Sequence, residues 1–255
     1  MNNKTKKVLS RILTCICLGV FIFAAYRLID VTIDYKKNQT VLNDLQETFY
    51  GTDVSEGTNN SEDKSDAIRT GFDTLLKEND ELVGWLTIDD TKIDYPILKA
   101  DNNSDYLNRN FYKEKNIAGS IFMDYRNDVE SPGLNTIVYG HRVKDGSMFE
   151  QLTKYEDEDF FNSHPTFEFD TLYDSYEAEI FAVYITKTDF DYIQTDFSSD
   201  AEYEELLATA RGKSMYESDV EVNVDDHILT LSTCDYELDP DHGRLVIQAK
   251  LVKKG

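Results

Sequence analysis

The sequence predicts a mainly β protein, an eight-stranded barrel that is closed or nearly closed, and not a sheet of βαβ units. Two observations carry this reading. From Gly84 onward the chain divides into eight short runs of β-type residues. The connections between them are irregular in length, and only three contain a helical pattern.

In chain order, Lys4, Lys6, Lys7 and Arg11 precede an apolar stretch, Ile12 to Ile29, broken only by Thr14, Gly19 and Arg27. With Arg11 and Arg27 snorkelling, Val8 to Ile29 is long enough to cross a hydrocarbon layer of about 30 Å. The basic flank sets the N-terminus in the cytoplasm and the body outside, a single-pass cell-membrane topology. A cleaved signal peptide is the competing reading; Ala24-Ala25-Tyr26 has small residues but no A-x-A pattern, which favours an uncleaved anchor. Asp30 to Tyr50 reads as a helical stalk, with Leu42, Leu45 and Phe49 on one stripe. Gly51 to Asp66 is polar and reads as a flexible spacer. Ala67 to Leu82 is a second helix, with Ile68, Phe72, Leu75 and Leu76 aligned.

The expected strands are Trp85–Asp89, Ile93–Lys99, Ser120–Asp124, Thr136–His141, Thr166–Thr171, Glu177–Lys187, Ile228–Cys234 and Leu245–Lys253. Helices fit at Ser104–Asn108, Met148–Tyr155 and Asp200–Gly212, the last with Tyr203, Leu206, Leu207 and Ala210 at helical spacing. That stripe reads as core packing.

Formal net charge is −23, yet residues 1–37 carry seven basic side chains against two acidic ones, so the remainder is near −28. So acidic a body repels phosphate backbones and argues against nucleic acid as a partner. There is no EF-hand loop and no His/Cys cluster at zinc spacing, so neither metal nor cofactor is called for. Three cysteines are too few for a disulfide framework; Cys15 and Cys17 read as apolar fillers of the membrane helix.

The third, Cys234, ends the run Thr230-Leu-Ser-Thr-Cys234, and Arg244 opens the next run. Alternation puts Leu229, Leu231 and Thr233 on one face and Thr230, Ser232 and Cys234 on the other. If the two runs form a hairpin across 235–243, thiol and guanidinium become neighbours. A nearby cation favours thiolate, the nucleophilic form. Of the four histidines, His164 and His227 sit at strand starts and read as surface residues. His242 lies in the 235–243 loop, and His141 follows Gly140 at the end of a strand, where a proton-transfer partner would be useful.

The runs Gly119-Ser-Ile-Phe-Met-Asp-Tyr-Arg126, Tyr139-Gly-His-Arg142, Ser147-Met-Phe149 and Thr230 to Cys234 with Arg244 resemble class B sortases, over about Trp85 to Lys253. The resemblance implies an eight-stranded sortase β-barrel with N-terminal helices and a helix in the connection before the cysteine strand. It divides the chain into a cytoplasmic tip and anchor (1–29), a stalk and spacer (30–66) and a catalytic domain (67–255). It implies that Cys234 is the nucleophile, His141 the general acid/base and Arg244 the oxyanion-side stabiliser. The reaction would be transpeptidation at a C-terminal sorting signal of the NPxTx or xPxTG type. Surface proteins would thereby be joined to an amine of a peptidoglycan precursor or cross-bridge. Asn103, Leu107, Thr188, Tyr192, Ile193 and Ser232 match substrate-groove positions, and Asp235 stands where some relatives carry Glu. A pilin-polymerising sortase is an alternative, although no Asp-Pro lid is visible in residues 38–84. A catalytically silent extracellular scaffold on the same fold is another.

Overall fold

A computed structural model describes residues 3–53, 68–69, 71–128, 130, 132–239 and 241–254. Eight strands are formed: β1 (Leu82–Thr87), β2 (Asp94–Leu98), β3 (Ile121–Met123), β4 (Asn135–Tyr139), β5 (Thr166–Thr171), β6 (Ser175–Lys187), β7 (Ile228–Cys234) and β8 (Gly243–Lys253). The helices are α1 (Asn3–Asp53), α2 (Phe72–Glu78), α3 (Glu158–Ser163) and α4 (Asp200–Lys213), with 3-10 turns at Asp105–Leu107 and Phe149–Glu156. The strands close a barrel in the order β1-β2-β3-β4-β7-β8-β6-β5, and β5 returns to β1. Two pairings are parallel, β2 with β3 and β4 with β7; the others are antiparallel.

Alternation along the strands builds the interior. Leu229 and Leu231 of β7 meet Leu245, Ile247 and Ala249 of β8, with Leu86, Ile97, Val138 and Val183 from the other strands. Each large aliphatic side chain fully buried there stabilises the fold by roughly 1.5–3 kcal/mol. Outward-facing residues of β6 and β8 are covered in turn: Phe181, Tyr184 and Val246 pack against Tyr203, Leu206, Leu207 and Ala210 of α4. The helical stripe read from the sequence is therefore packing.

The Leu42, Leu45 and Phe49 stripe of α1 also meets the barrel and not solvent. Phe49 stacks on Trp85 with ring centroids 4.2 Å apart. Gln46 Nε2 donates to Asp94 O and Tyr50 Oη to Asp94 Oδ1, both at 2.7 Å. The second half of the expected stalk is thus docked on β1 and β2. The N-terminal part of α1 is different: Ile12 to Ile29 present exposed apolar side chains, and this is the one described helix long and apolar enough to cross a membrane. Cys15 and Cys17 are exposed on that stretch. Of the expected spacer, residues 54–66 lie outside the described residues.

The second helix is shorter than Ala67–Leu82, and β1 starts three residues earlier than expected. Gly71, at φ 101°, leads into α2 in a conformation that favours glycine. Asn79 ends α2 in an extended conformation: its Oδ1 accepts from Glu81 N at 2.9 Å and its Nδ2 donates to Phe111 O at 2.7 Å. An Asn that bonds its own backbone two residues on competes with helix. Helix α3 was not anticipated, although Asp157 caps it by accepting from Phe160 N at 3.0 Å.

Candidate active site

Strand order brings the chemistry together. β4 and β7 are parallel neighbours with Tyr139 opposite Ser232, and Gly140 N continues the pairing to Ser232 O at 3.3 Å. Two parallel strands leave the sheet at the same rim, so His141, just beyond β4, comes beside Cys234, the last residue of β7. β8 then returns with Arg244 directly opposite Cys234. His141, Cys234 and Arg244 line one cleft of about 290 Å³, together with Asn103, Leu107, Thr188, Tyr192, Ile193 and Ser232. Phe122, Tyr139, Gly140 and Thr233 complete it; all four lie in the runs quoted from the sequence, which gave them no part in the groove and put Thr233 on the core face.

Two of the three side chains are held by backbone carbonyls. His141 Nε2 lies 2.8 Å from Leu107 O. A carbonyl only accepts, so Nε2 carries the hydrogen and Nδ1 is the nitrogen left for proton exchange. Gly140 is required by packing: a Cβ there would overlap Ile121 and approach Phe149 Cγ to 2.8 Å. Arg244 Nη1 donates to Gly243 O at 2.7 Å and Asp241 O at 3.3 Å, which fixes the guanidinium against the β7–β8 loop. Cys234 is half-buried. Tyr236 stands beside it: burial first, then the charge of Cys234 and a hydrogen bond to it, push the phenol up, opposed by Arg142 and Arg244. No sequence pattern marked this tyrosine.

The groove walls are built in the same way. Tyr192 is buried and its Oη lies 2.8 Å from Ser232 Oγ, tying the connection before α4 to β7. Thr188 N donates to His242 O at 3.2 Å, so His242 holds the loop and is not among the cleft residues. Asp235 is not brought into the cleft either. It is buried at 1% exposure, with Oδ1 accepting from Leu238 N at 2.7 Å and Oδ2 3.3 Å from Arg142 Nη1. Arg142 follows His141 and Asp235 follows Cys234, so this ion pair ties the two strand ends together. A second cavity of about 640 Å³ opens beyond His141, with Tyr35, Arg142, Glu150 and Tyr236 in its wall. Among the described residues no group of three or more His, Cys, Asp or Glu is placed to hold a metal.

A sortase-domain family model matches residues 86–252, and Sortase B of Listeria monocytogenes is 47% identical over 251 residues, covering 98% of this chain and 100% of that protein. The chain belongs to the class B sortases. Among solved structures, the Staphylococcus aureus sortase B–substrate complex is 36% identical with a TM-score of 0.79, covering 88% of this chain and 100% of that one. Sortase B from Bacillus anthracis in complex with AAEK2 is 48% identical with a TM-score of 0.78, covering 87% of this chain and 98% of that one. The sortase is thus a cysteine transpeptidase of cell-wall anchoring, and the eight-stranded barrel expected from the resemblance is the fold it has.

Proposed function

We propose that Cys234, His141 and Arg244 carry the transpeptidation, and that the sorting signal is of the NPxTx or xPxTG type, cut after Thr. The single observation behind this assignment is the register that sets Arg244 opposite Cys234 on a rim shared with His141. Cys234 gives its thiol proton to His141 Nδ1 and its Sγ attacks the Thr carbonyl, and the carbonyl π pair moves onto oxygen. Arg244 and nearby backbone N–H groups stabilise that oxyanion, each well-placed donor contributing roughly 3–4 kcal/mol in acyl-transfer enzymes. As the intermediate collapses, the C–N bond breaks and His141 protonates the leaving amine. A thioacyl enzyme remains. The acceptor amine, on a peptidoglycan precursor or cross-bridge, attacks it and loses a proton to His141, and Cys234 leaves as thiolate.

Asn103, Leu107, Thr188, Tyr192, Ile193 and Ser232 would form the walls that hold the signal peptide. Asp235 would act from behind the site through Arg142. Residues 1–29 would form a cytoplasmic tip and membrane anchor and 67–255 the extracellular catalytic domain; the exposed apolar side chains of Ile12 to Ile29 favour this.

The full-length enzyme in detergent micelles should cleave NPxTx or xPxTG peptides between Thr and the next residue, with added amine diverting product to transfer. His141→Ala and Arg244→Ala should each lower kcat at least 100-fold, about 2.7 kcal/mol. Peptide cleavage by Cys234→Ala at the wild-type rate would overturn the assignment.

A further inference from the structure

Asp124 is wholly buried, yet the reaction just described gives it no part. It belongs to the Gly119–Arg126 run that marks the family resemblance. Its Oδ2 accepts from Asn103 Nδ2, Tyr139 Oη and Arg126 Nη2, each at 2.8 Å. Its Oδ1 accepts from Arg126 Nε at 2.8 Å and from Arg126 N at 3.0 Å. Arg126 Nη2 reaches further and donates to Ile193 O at 2.9 Å. Burial would raise this carboxyl, but the Arg126 guanidinium and the other donors outweigh it, so it stays below the usual carboxylate range and is an anion.

The partners of this anion converge on the cleft. Asn103 belongs to the β2–β3 connection, Tyr139 ends β4, and Ile193 lies in the connection between β6 and α4. All three line the cleft that contains Cys234. We propose that the Asp124–Arg126 pair positions the sorting-signal peptide by tying both groove walls to one buried charge and fixing the Asn103 amide. Asn103 Oδ1 accepts from Tyr125 N at 3.0 Å while Nδ2 faces the carboxylate. A carboxylate offers only acceptors, so the amide cannot turn over. Its second N–H and remaining lone pair keep one orientation toward a bound peptide. Walls that are already ordered spare the peptide the entropy of ordering them, which appears in affinity and not in the bond-breaking step.

This rests on the peptide-groove reading above, and the test separates the two. Peptide kcat and KM are measured for the full-length enzyme, Asp124→Asn and Arg126→Gln, together with the rate at which iodoacetamide, too small to need the groove, alkylates Cys234. The expected result is a KM raised at least tenfold in both variants, with kcat within threefold and alkylation within twofold of wild type. Asp124→Asn leaves a guanidinium that is 32% exposed and open to water, whereas Arg126→Gln leaves a buried anion, so the two variants stress the fold in different ways. Should Asp124→Asn fail to fold, the KM of Arg126→Gln decides alone. An unchanged KM in folded Arg126→Gln, with or without a lower kcat, overturns the proposal while leaving the peptide groove intact. A wild-type enzyme that cleaves no sorting peptide overturns the groove reading, and the proposal falls with it.

Discussion

His141 takes its tautomer from a backbone carbonyl, Leu107 O, and its position from Gly140, whose missing side chain lets Ile121 and Phe149 close against the strand end. A single methyl at residue 140 must displace one of them, and shifts of about 1 Å at a reacting group can cost about 100-fold in rate. Gly140→Ala is expected to lower kcat by between 10- and 100-fold while the enzyme still melts cooperatively; an unchanged kcat would show that His141 is not held in this way. At this scale much was legible. Period-two alternation put Cys234 off the face of Leu229 and Leu231, and the hairpin supposed across 235–243, which would make Arg244 its neighbour, is the one β7 and β8 form. Asp235 was not legible: its neighbour in sequence is Cys234, but its partner is Arg142, ninety-three residues away in the chain. Leu107 O was out of reach for the same reason, since a backbone carbonyl leaves no mark in the residue letters.

The C-terminal half of the β7–β8 loop is organised by one carboxylate. Asp239 Oδ1 accepts the N–H groups of Asp241 and His242, each at 3.0 Å, and Oδ2 accepts from Lys187 Nζ at 3.1 Å. Those backbone donors, then Lys187, lower its pKa to about 2. A carboxyl depressed in the folded state stabilises above its ordinary value of 3.8, and that contribution is lost as pH falls toward 2. The melting temperature of the wild type should therefore exceed that of Asp239→Asn by a constant margin from pH 7 to pH 5, shrinking at pH 3. An equal margin at pH 7 and pH 3 would contradict the loop assignment. Because this loop also supplies the carbonyls that hold Arg244, its order is a condition for the site. Element boundaries moved from their expected places where side chains bond locally. Asn79 stops α2 and Asp157 starts α3, and both are signals that a periodicity count passes over.

On the scale of the whole molecule, the barrel was readable as eight β-type runs with irregular connections, but its strand order was not. No local pattern says that β4 lies beside β7, more than eighty residues later, or that the two run parallel. That adjacency carries His141 to Cys234, and only the family resemblance anticipated it. The same limit hid the docking of α1: its Leu42, Leu45 and Phe49 stripe announced a helix without naming the face of the barrel it would cover. Trp85 and Asp94 on β1 and β2 supply that face, so the helix that bears the apolar N-terminal stretch is also part of the domain's packing.

The meeting of sulfur, imidazole and guanidinium at one barrel rim is tested most directly by the mass of the enzyme during turnover. Incubated with a sorting-signal peptide and no amine, the intact protein should gain the mass of the acyl fragment ending in Thr, and peptide mapping should place it on Cys234. Added amine should discharge it, and Cys234→Ala should never acquire it. An acyl group found on another residue, or full transfer activity with no Cys234 adduct at any time, would contradict the account.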